Sequence, residues 1–199
     1  MYGAEVWGCE DNELVDKLQL KFLRLLLNVK SGTSKCMTYA EMGKVQLQCL
    51  IDQRIASYWG RIITTDNHRF NKKLYLLTYQ LERHNRIEPN WIKRVKIVLN
   101  NCGLYNHWLT QDVGNLKHFK NTVRTKVAEY YGEQLIADIE ANAKCFNYRI
   151  FKRKLCFEKY LSSLHSYIHF TRFHVSNHKL PIQNGRFHDT PHNERLQCL

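Results

Sequence analysis

Basic residues alternate with aromatic and imidazole rings in the C-terminal third of the sequence, which is its most concentrated chemical signal. They are Arg149, Lys152, Arg153 and Lys154 among Tyr148, Phe151 and Phe157, followed by Arg172, His174, His178, Lys179 and Arg186. Lysine and arginine neutralise phosphates, whereas aromatic, imidazole and guanidinium planes stack on unpaired bases at about 1–3 kcal/mol each. The mixture is typical of proteins that bind single-stranded or structured RNA.

Three further cations, Lys117, Lys120 and Arg124, cluster on one predicted helix. With the nine basic residues and histidines above, they are our predicted nucleic-acid-binding residues. The rings of Phe151, Phe157 and Tyr160 have a simpler interpretation, because these residues fall at helical spacing with neighbouring leucines. We therefore expect these three rings in the core and the basic residues on the opposite, binding face.

The net charge of the chain is +12, and all of the excess lies downstream of residue 66. Residues 1–66 hold eight of the 30 Lys and Arg and eight of the 18 Asp and Glu, which leaves 22 cations against 10 carboxylates in residues 67–199. A polyanion attracts such a surface because phosphate neutralisation releases counterions. A solvated basic face that keeps the protein soluble is the alternative. We expect RNA, DNA or both as partners.

No catalytic motif stands out in the sequence. It contains no Gly-rich phosphate loop, no GxSxG or HExxH motif, and no aspartate pair of the kind that holds two metal ions in polymerases. His165 and His169 have metal-ligand spacing, but the later residues His188, His192 and Cys198 do not complete the second close pair that zinc sites usually have. We therefore predict no enzymatic activity for the chain as it stands, no cofactor and no metal site.

The cysteines and the apolar pattern bear on location. Seven cysteines are spread along the chain without a CxxC pair, which favours free thiols in a reducing compartment. No apolar run approaches the roughly 20 residues that cross a bilayer. The first residues are acidic and aromatic, unlike a secretory signal. We expect an intracellular protein, cytoplasmic or nuclear or both, without a membrane partner.

Apolar residues recur at three- and four-residue spacing along most of the chain, which predicts helices. The predicted helices cover residues 10–29, 38–63, 71–84, 89–102, 115–139 and 147–170. Thr38 and Glu41 have the spacing of a capping box, Gly43 is expected to divide the second helix, and Gly132 to break the fifth. Residues 104–108 form a connector in this scheme. Without strand alternation anywhere, the predicted fold is all-α, an irregular multi-helix bundle.

The tail of the chain differs in character from the rest. From Ser176 onward it is rich in turn formers, among them Pro181, Asn184-Gly185 and Pro191, and lacks helical periodicity. We expect an extended C-terminal arm. The sequence thus predicts three regions: a helical segment over residues 1–66, a basic helical region over residues 67–175, and the arm over residues 176–199.

Several short motifs carry a family resemblance. They are YGAEVWG at residues 2–8, LKF at 20–22, LNVK at 27–30, NHKLPI at 177–182 and GR at 185–186. In this order and spacing they resemble the C-terminal region of non-LTR (LINE-type) retrotransposon endonuclease/reverse transcriptase polyproteins. In that family the first motif follows the polymerase palm and thumb, and NHxLPI precedes a zinc knuckle that opens with CxxC after Arg-Leu. Here Arg195-Leu196 is followed by Gln197-Cys198-Leu199, so no metal ligands are carried over.

The resemblance implies a function and a parent protein. The polymerase aspartates and the endonuclease would lie upstream of Met1, and the chain would be a truncated, non-catalytic piece that helps to hold template RNA or target DNA during target-primed reverse transcription. The polymerase domain of the parent polyprotein would be its protein partner. The alternative is a structural remnant or a helical protein-interaction module with no retained activity, which would self-associate through exposed apolar surface.

Overall fold

Helices make up all of the extended regular structure that the computed structural model describes. It describes residues 3–10, 13–84, 89–152, 154–162 and 167–175. Within these ranges there is no strand, and an isolated antiparallel bridge joins Met42 to Phe157. The predicted all-α, multi-helix fold is confirmed for this part of the chain. The predicted arm over residues 176–199 lies outside it.

Ten α-helices and two 3-10 helices lie in the described ranges. They are α1 (Ala4–Trp7), α2 (Glu13–Leu26), α3 (Lys35–Glu41), α4 (Leu47–Thr64), α5 (Phe70–Arg83), α6 (Asn90–Asn101), α7 (Tyr105–Thr110), α8 (Leu116–Ala141), α9 (Tyr148–Phe151) and α10 (Tyr167–His174), with the 3-10 helices Ala143–Cys145 and Lys159–Ser162.

The predicted division at Gly43 is confirmed, because α3 ends at Glu41 and α4 begins at Leu47. Gly43 has a φ of 57°, and a Cβ atom there would lie 2.3 Å from the backbone nitrogen of Phe157. Glycine alone has both the freedom for this left-handed conformation and the room for the close approach. The long helices α2, α5 and α6 lie within the predicted ranges or one residue outside them.

The predicted capping box at Thr38 is wrong. The helix begins earlier, at Lys35, so Thr38 lies inside it and its hydroxyl donates to the carbonyl oxygen of Ser34 at 2.9 Å. Glu41 is fully buried and accepts a hydrogen bond from the hydroxyl of Tyr148 at 2.8 Å. Neither side chain is therefore available to cap a helix.

Two other expectations also fail. Helix α8 continues through Gly132, because the buried side chains of Val123, Val127 and Tyr131 hold one face of it against the core, which outweighs the roughly 1 kcal/mol that glycine costs in a helix. The predicted connector at 104–108 is mostly helix α7, since the buried Trp108 packs against Trp59 and thereby holds this segment in place.

The single helix predicted over residues 147–170 is also wrong. The chain leaves α9 at Lys152, whose backbone is extended (φ −99°, ψ 99°). The Lys152 ammonium donates to the Cys156 carbonyl oxygen at 2.7 Å and forms an ion pair with Glu158, while Phe157 forms the bridge to Met42. These contacts hold an irregular turn where the periodicity predicts a helix.

The chain forms two compact units. Unit 1 comprises Met1–Leu20 and Val45–Asp138, and unit 2 comprises Lys21–Lys44 and Ile139–Leu199.

The core of unit 1 is built mainly on α4. Its buried residues Ile51, Ile55 and Trp59 recur at four-residue spacing and face the buried side chains of α6 and α8. The Trp59 ring lies 5.9 Å from that of Phe119, and its indole nitrogen donates to the Tyr75 hydroxyl at 3.0 Å. This packing places one face of α4 and one face of α8 in the core of unit 1.

Unit 2 has a smaller core with polar members. Met37 and Tyr39 of α3 are buried, as is Tyr148 of α9. The Tyr148 hydroxyl reaches the carboxylate of Glu41, so the two helices are joined by a buried hydrogen bond as well as by apolar contacts. In neither unit does a described helix combine the length and the apolar character needed to cross a bilayer.

Candidate nucleic-acid interface

A groove of about 470 Å³ in unit 1 gathers basic side chains from two helices. We call it the basic groove. Its lining residues are Leu50, Gln53, Arg54, Ser57 and Arg61 from α4, and Lys117, Lys120, Asn121 and Arg124 from α8.

Helix spacing explains why these residues share a surface. Residues separated by three, four or seven positions lie on one face of a helix, and both sets follow that spacing. Ile51, Ile55 and Trp59 take the buried face of α4, so Arg54 and Arg61 project on its exposed side. The basic groove is therefore a direct consequence of the amphipathic pattern.

The two helices run in opposite directions along the groove. The Gln53 side-chain amide donates to the Arg124 carbonyl oxygen at 3.1 Å, which joins the start of α4 to the middle of α8. Near the other end, a Cβ atom on Gly60 would lie 2.7 Å from the Phe119 ring and 3.5 Å from the Leu116 side chain. Increasing residue number in α4 thus follows decreasing number in α8, and Gly60 permits the close approach.

The groove is strongly electropositive. Five of its nine lining residues are Lys or Arg, and none of the nine is acidic. In the part of the chain that the structure describes, no carboxylate forms an ion pair with Arg61, Lys117, Lys120 or Arg124. Four of the five cations are exposed and Lys120 is half-buried. Unneutralised cations converging on a groove attract a polyanion.

The carboxylate nearest in sequence to these cations is held elsewhere. Asp52 is buried and accepts two hydrogen bonds from the Arg94 guanidinium, both at 2.8 Å, and one from the Tyr131 hydroxyl at 2.7 Å. Burial is the largest cause that raises the pKa of Tyr131, and the Asp52 charge and hydrogen bond raise it further, whereas the Arg94 charge lowers it. The network joins α4, α6 and α8 within unit 1, and none of its three residues lines the groove.

The structure brings together three predicted site residues, Lys117, Lys120 and Arg124, all in the basic groove. It adds Arg54 and Arg61, which the sequence interpretation missed because the first 66 residues have no net charge. A signal was present: Arg54, Ser57 and Arg61 are three and four positions apart and therefore share one face of a predicted helix.

Two predicted binding residues in unit 2 are engaged within the protein. The Lys152 side chain is only 3% exposed and pairs with Glu158. The His174 ring lies 3.1 Å from the buried Glu41 carboxylate and stacks on Phe151, with ring centroids 5.4 Å apart. These contacts give Lys152 and His174 structural roles, so we do not assign phosphate contacts to them.

The other predicted cations of unit 2 lie at its surface. Arg149 donates to the Asn142 carbonyl oxygen at 3.2 Å, and Arg172 donates to the backbone and side-chain oxygens of Asn28 at 3.1 Å each. Lys154 is exposed. The remaining predicted residues, Arg153, His178, Lys179 and Arg186, lie outside the described residues.

Aromatic side chains of unit 2 form a ring cluster. Its members are Phe151, Tyr160, Phe170, Phe173 and His174. The core position expected for Phe151 and Phe157 is wrong, since their side chains are 48% and 51% exposed. The irregular turn after α9 removes the helical register that would have buried them.

Among the described residues, no three His, Cys, Asp or Glu side chains lie close enough together to hold a metal ion. His169 is exposed on α10. The other residues considered for a metal site, His165, His188, His192 and Cys198, are outside the described ranges.

Comparison with known proteins gives no relative for this chain. No protein family, no curated protein and no solved structure matches it.

Proposed function

We propose that this chain is a non-catalytic nucleic-acid-binding protein that contacts the phosphate backbone of RNA or DNA through the basic groove. The observation that carries the proposal is the convergence of five cations from α4 and α8 without an acidic neighbour in the lining. Backbone contacts of this kind give affinity without base specificity, because every nucleotide carries the same phosphate. The protein would bind many sequences with similar strength.

A steep dependence on salt is the expected signature. Each phosphate contact contributes about −0.9 to the slope of log K against log salt concentration for double-stranded DNA, so five contacts give a slope of about −4.5. Lys120 lies between Lys117 and Arg124 on the α8 side of the groove, so its removal should delete one contact without altering the core.

The test is a fluorescence anisotropy titration of a labelled duplex of about 20 base pairs, repeated between about 50 and 200 mM salt. The Lys120→Ala variant should weaken binding and make the slope less steep by about 1. Lys73→Ala is the matched control, because Lys73 is exposed in unit 1 outside the groove. A flat salt dependence, or equal losses in both variants, would contradict the proposal.

The parent protein is a separate proposal, which rests on the sequence motifs described above. We propose that the chain belongs to a LINE-type reverse transcriptase polyprotein, in which the groove would help to hold template RNA or target DNA beside a polymerase domain. The nucleotide sequence flanking the gene tests this. An upstream reading frame for a polymerase would support the assignment, and an intact unrelated gene on each side would count against it.

Helix α2 favours a second candidate function, self-association. Leu14, Leu18, Phe22 and Leu25 recur at three- and four-residue spacing and are between 57% and 80% exposed. Acidic residues occupy the first turn of this helix and Arg24 its last. A second copy of the chain, packed with α2 antiparallel, would cover the apolar stripe and place opposite charges together.

Light scattering after gel filtration tests self-association. The Leu18→Glu variant should convert a dimer into a monomer, whereas Leu109→Glu, at an equally exposed leucine on α7, should leave the mass unchanged. A monomeric wild-type chain would exclude this candidate and leave nucleic-acid binding untouched.

A further inference from the structure

We infer that the basic groove takes a nucleic-acid duplex rather than a single strand. This inference rests on the proposed function and specifies its ligand. It differs from the single-stranded part of the expectation of single-stranded or structured RNA, which came from the alternation of cations and rings in the C-terminal third of the sequence.

The first reason is the absence of rings from the groove. None of its nine lining residues is aromatic. The aromatic residues next to them in sequence face the core: Phe119 is buried with its ring 5.9 Å from Trp59, and the Tyr58 ring contacts that of Trp91 at 6.1 Å. Proteins that bind single strands combine a basic groove with aromatic side chains on which unpaired bases stack. The lining of this groove offers a single strand no aromatic platform.

The second reason is that the cations form two rows. One row is Arg54 and Arg61 on α4, and the other is Lys117, Lys120 and Arg124 on α8. At 1.5 Å of rise per residue, each row is roughly 10 Å long. The antiparallel pairing of the helices sets Arg54 near Arg124 at one end and Arg61 near Lys117 at the other.

Two rows match two phosphate strands. The rows belong to different helices, so they present two lines of positive charge, as the two backbones of a duplex present two lines of negative charge. A duplex can place one strand against each row. A single strand has one line of phosphates and engages the two rows poorly at the same time.

The chemistry of the lining does not depend on the sugar. Ammonium and guanidinium groups recognise phosphate oxygens, which DNA and RNA duplexes share, although the two duplexes differ in groove width and depth. The ligand class is therefore a double-stranded polynucleotide, and the two sugars are compared in the test.

The experiment measures binding of the full chain to four labelled probes of one sequence by fluorescence anisotropy. The probes are a DNA duplex and an RNA duplex of about 20 base pairs and the two corresponding single strands. We expect at least one duplex to bind about tenfold more tightly than its single strand at equal salt.

Two double variants with reversed charges test whether the nucleic acid binds in the groove. Lys117→Glu with Lys120→Glu alters the groove, and Lys73→Glu with Lys93→Glu makes the same change in net charge at exposed positions of unit 1 outside it. We expect the groove pair to abolish the preference for the duplex and the control pair to keep it. Circular dichroism spectra of both double variants would check that they retain the helical fold.

The outcomes separate this inference from the proposed function. Equal or tighter binding of single strands, lost in the groove pair and kept in the control pair, would overturn the duplex inference and leave the proposed function intact. No binding of any probe, or equal losses in both pairs, would overturn the two together.

Discussion

The two compact units use their charged side chains in different ways. In unit 1 the basic groove keeps its cations at the surface, while the buried carboxylate of Asp52 is held by the Arg94 guanidinium. In unit 2 Lys152 is buried against Glu158, and His174 lies against the buried Glu41. Two of the basic residues in the ring-rich segment of unit 2 are thus engaged within the protein, whereas the cations on the exposed faces of α4 and α8 remain at the surface.

Removal of the Asp52 carboxylate should destabilise unit 1 strongly. Asp52→Ala leaves the Arg94 guanidinium and the Tyr131 hydroxyl without their carboxylate partner. Breaking a buried ion pair by removing one partner costs about 3 kcal/mol or more. All four tryptophans lie in unit 1, so urea denaturation followed by tryptophan fluorescence reports the free energy of unfolding of this unit.

Asp66→Ala is the control for this prediction. Asp66 is exposed, and such surface substitutions usually change stability by less than about 0.5 kcal/mol. A loss of similar size in both variants would mean that the Asp52 network contributes nothing beyond an ordinary surface carboxylate.

Matched charge reversals in the two units test which of them binds the duplex. Arg61→Glu with Arg124→Glu places two carboxylates in the basic groove, whereas Arg149→Glu with Lys154→Glu makes the same change in net charge on unit 2. We expect duplex affinity to fall about 100-fold, or about 2.7 kcal/mol, in the first pair and only a few-fold in the second. Anisotropy titrations at one salt concentration measure both.

Similar losses of duplex affinity in the two pairs would contradict the assignment of binding to the basic groove. Binding would then follow the net charge of the chain and not the arrangement of cations on α4 and α8. A larger loss in the unit 2 pair would move the interface to the surface cations of that unit.

Much of the helical structure was predictable, because local periodicity records which face each helix buries. Helices α4 and α8 each carry apolar residues every three or four positions, and both form over nearly the predicted ranges, although α8 lacks the break expected at Gly132. Local periodicity does not predict the segment after α9. Phe157 forms a bridge to Met42, more than a hundred residues away in sequence, and no local pattern encodes such a contact.

The candidate site was predictable in part for a related reason. Lys117, Lys120 and Arg124 follow one another on a single helix, so sequence spacing alone places them together. Arg54 and Arg61 belong to a segment without net charge, so the net charge of that segment did not indicate a basic surface. The engagement of His174 depends on Glu41, from a distant part of the chain, which only the folded structure brings near.

The smallest expected effect concerns the buried carboxylate of unit 2. Burial raises the pKa of Glu41 above its ordinary value of 4.5, and the Tyr148 hydrogen bond and the charges of His174 and Lys152 offset this only in part. Folding therefore favours the protonated carboxyl. Its contribution to stability is complete below pH 4.5 and is lost as the pH rises through the raised pKa. The Glu41→Gln variant should lack this loss.

Hydrogen–deuterium exchange of a peptide that covers α3 measures the effect, once intrinsic exchange rates are corrected for pH. The wild-type peptide should lose protection between acidic and neutral pH relative to the Glu41→Gln peptide. This loss, expressed as a free energy, should be smaller than the loss of unfolding free energy that Asp52→Ala causes in unit 1. A peptide from α4 in the same samples is the internal control, because it belongs to the other unit. Parallel pH profiles in the two proteins would contradict this prediction. They would mean that Tyr148, His174 and Lys152 together compensate fully for the burial of the Glu41 carboxylate.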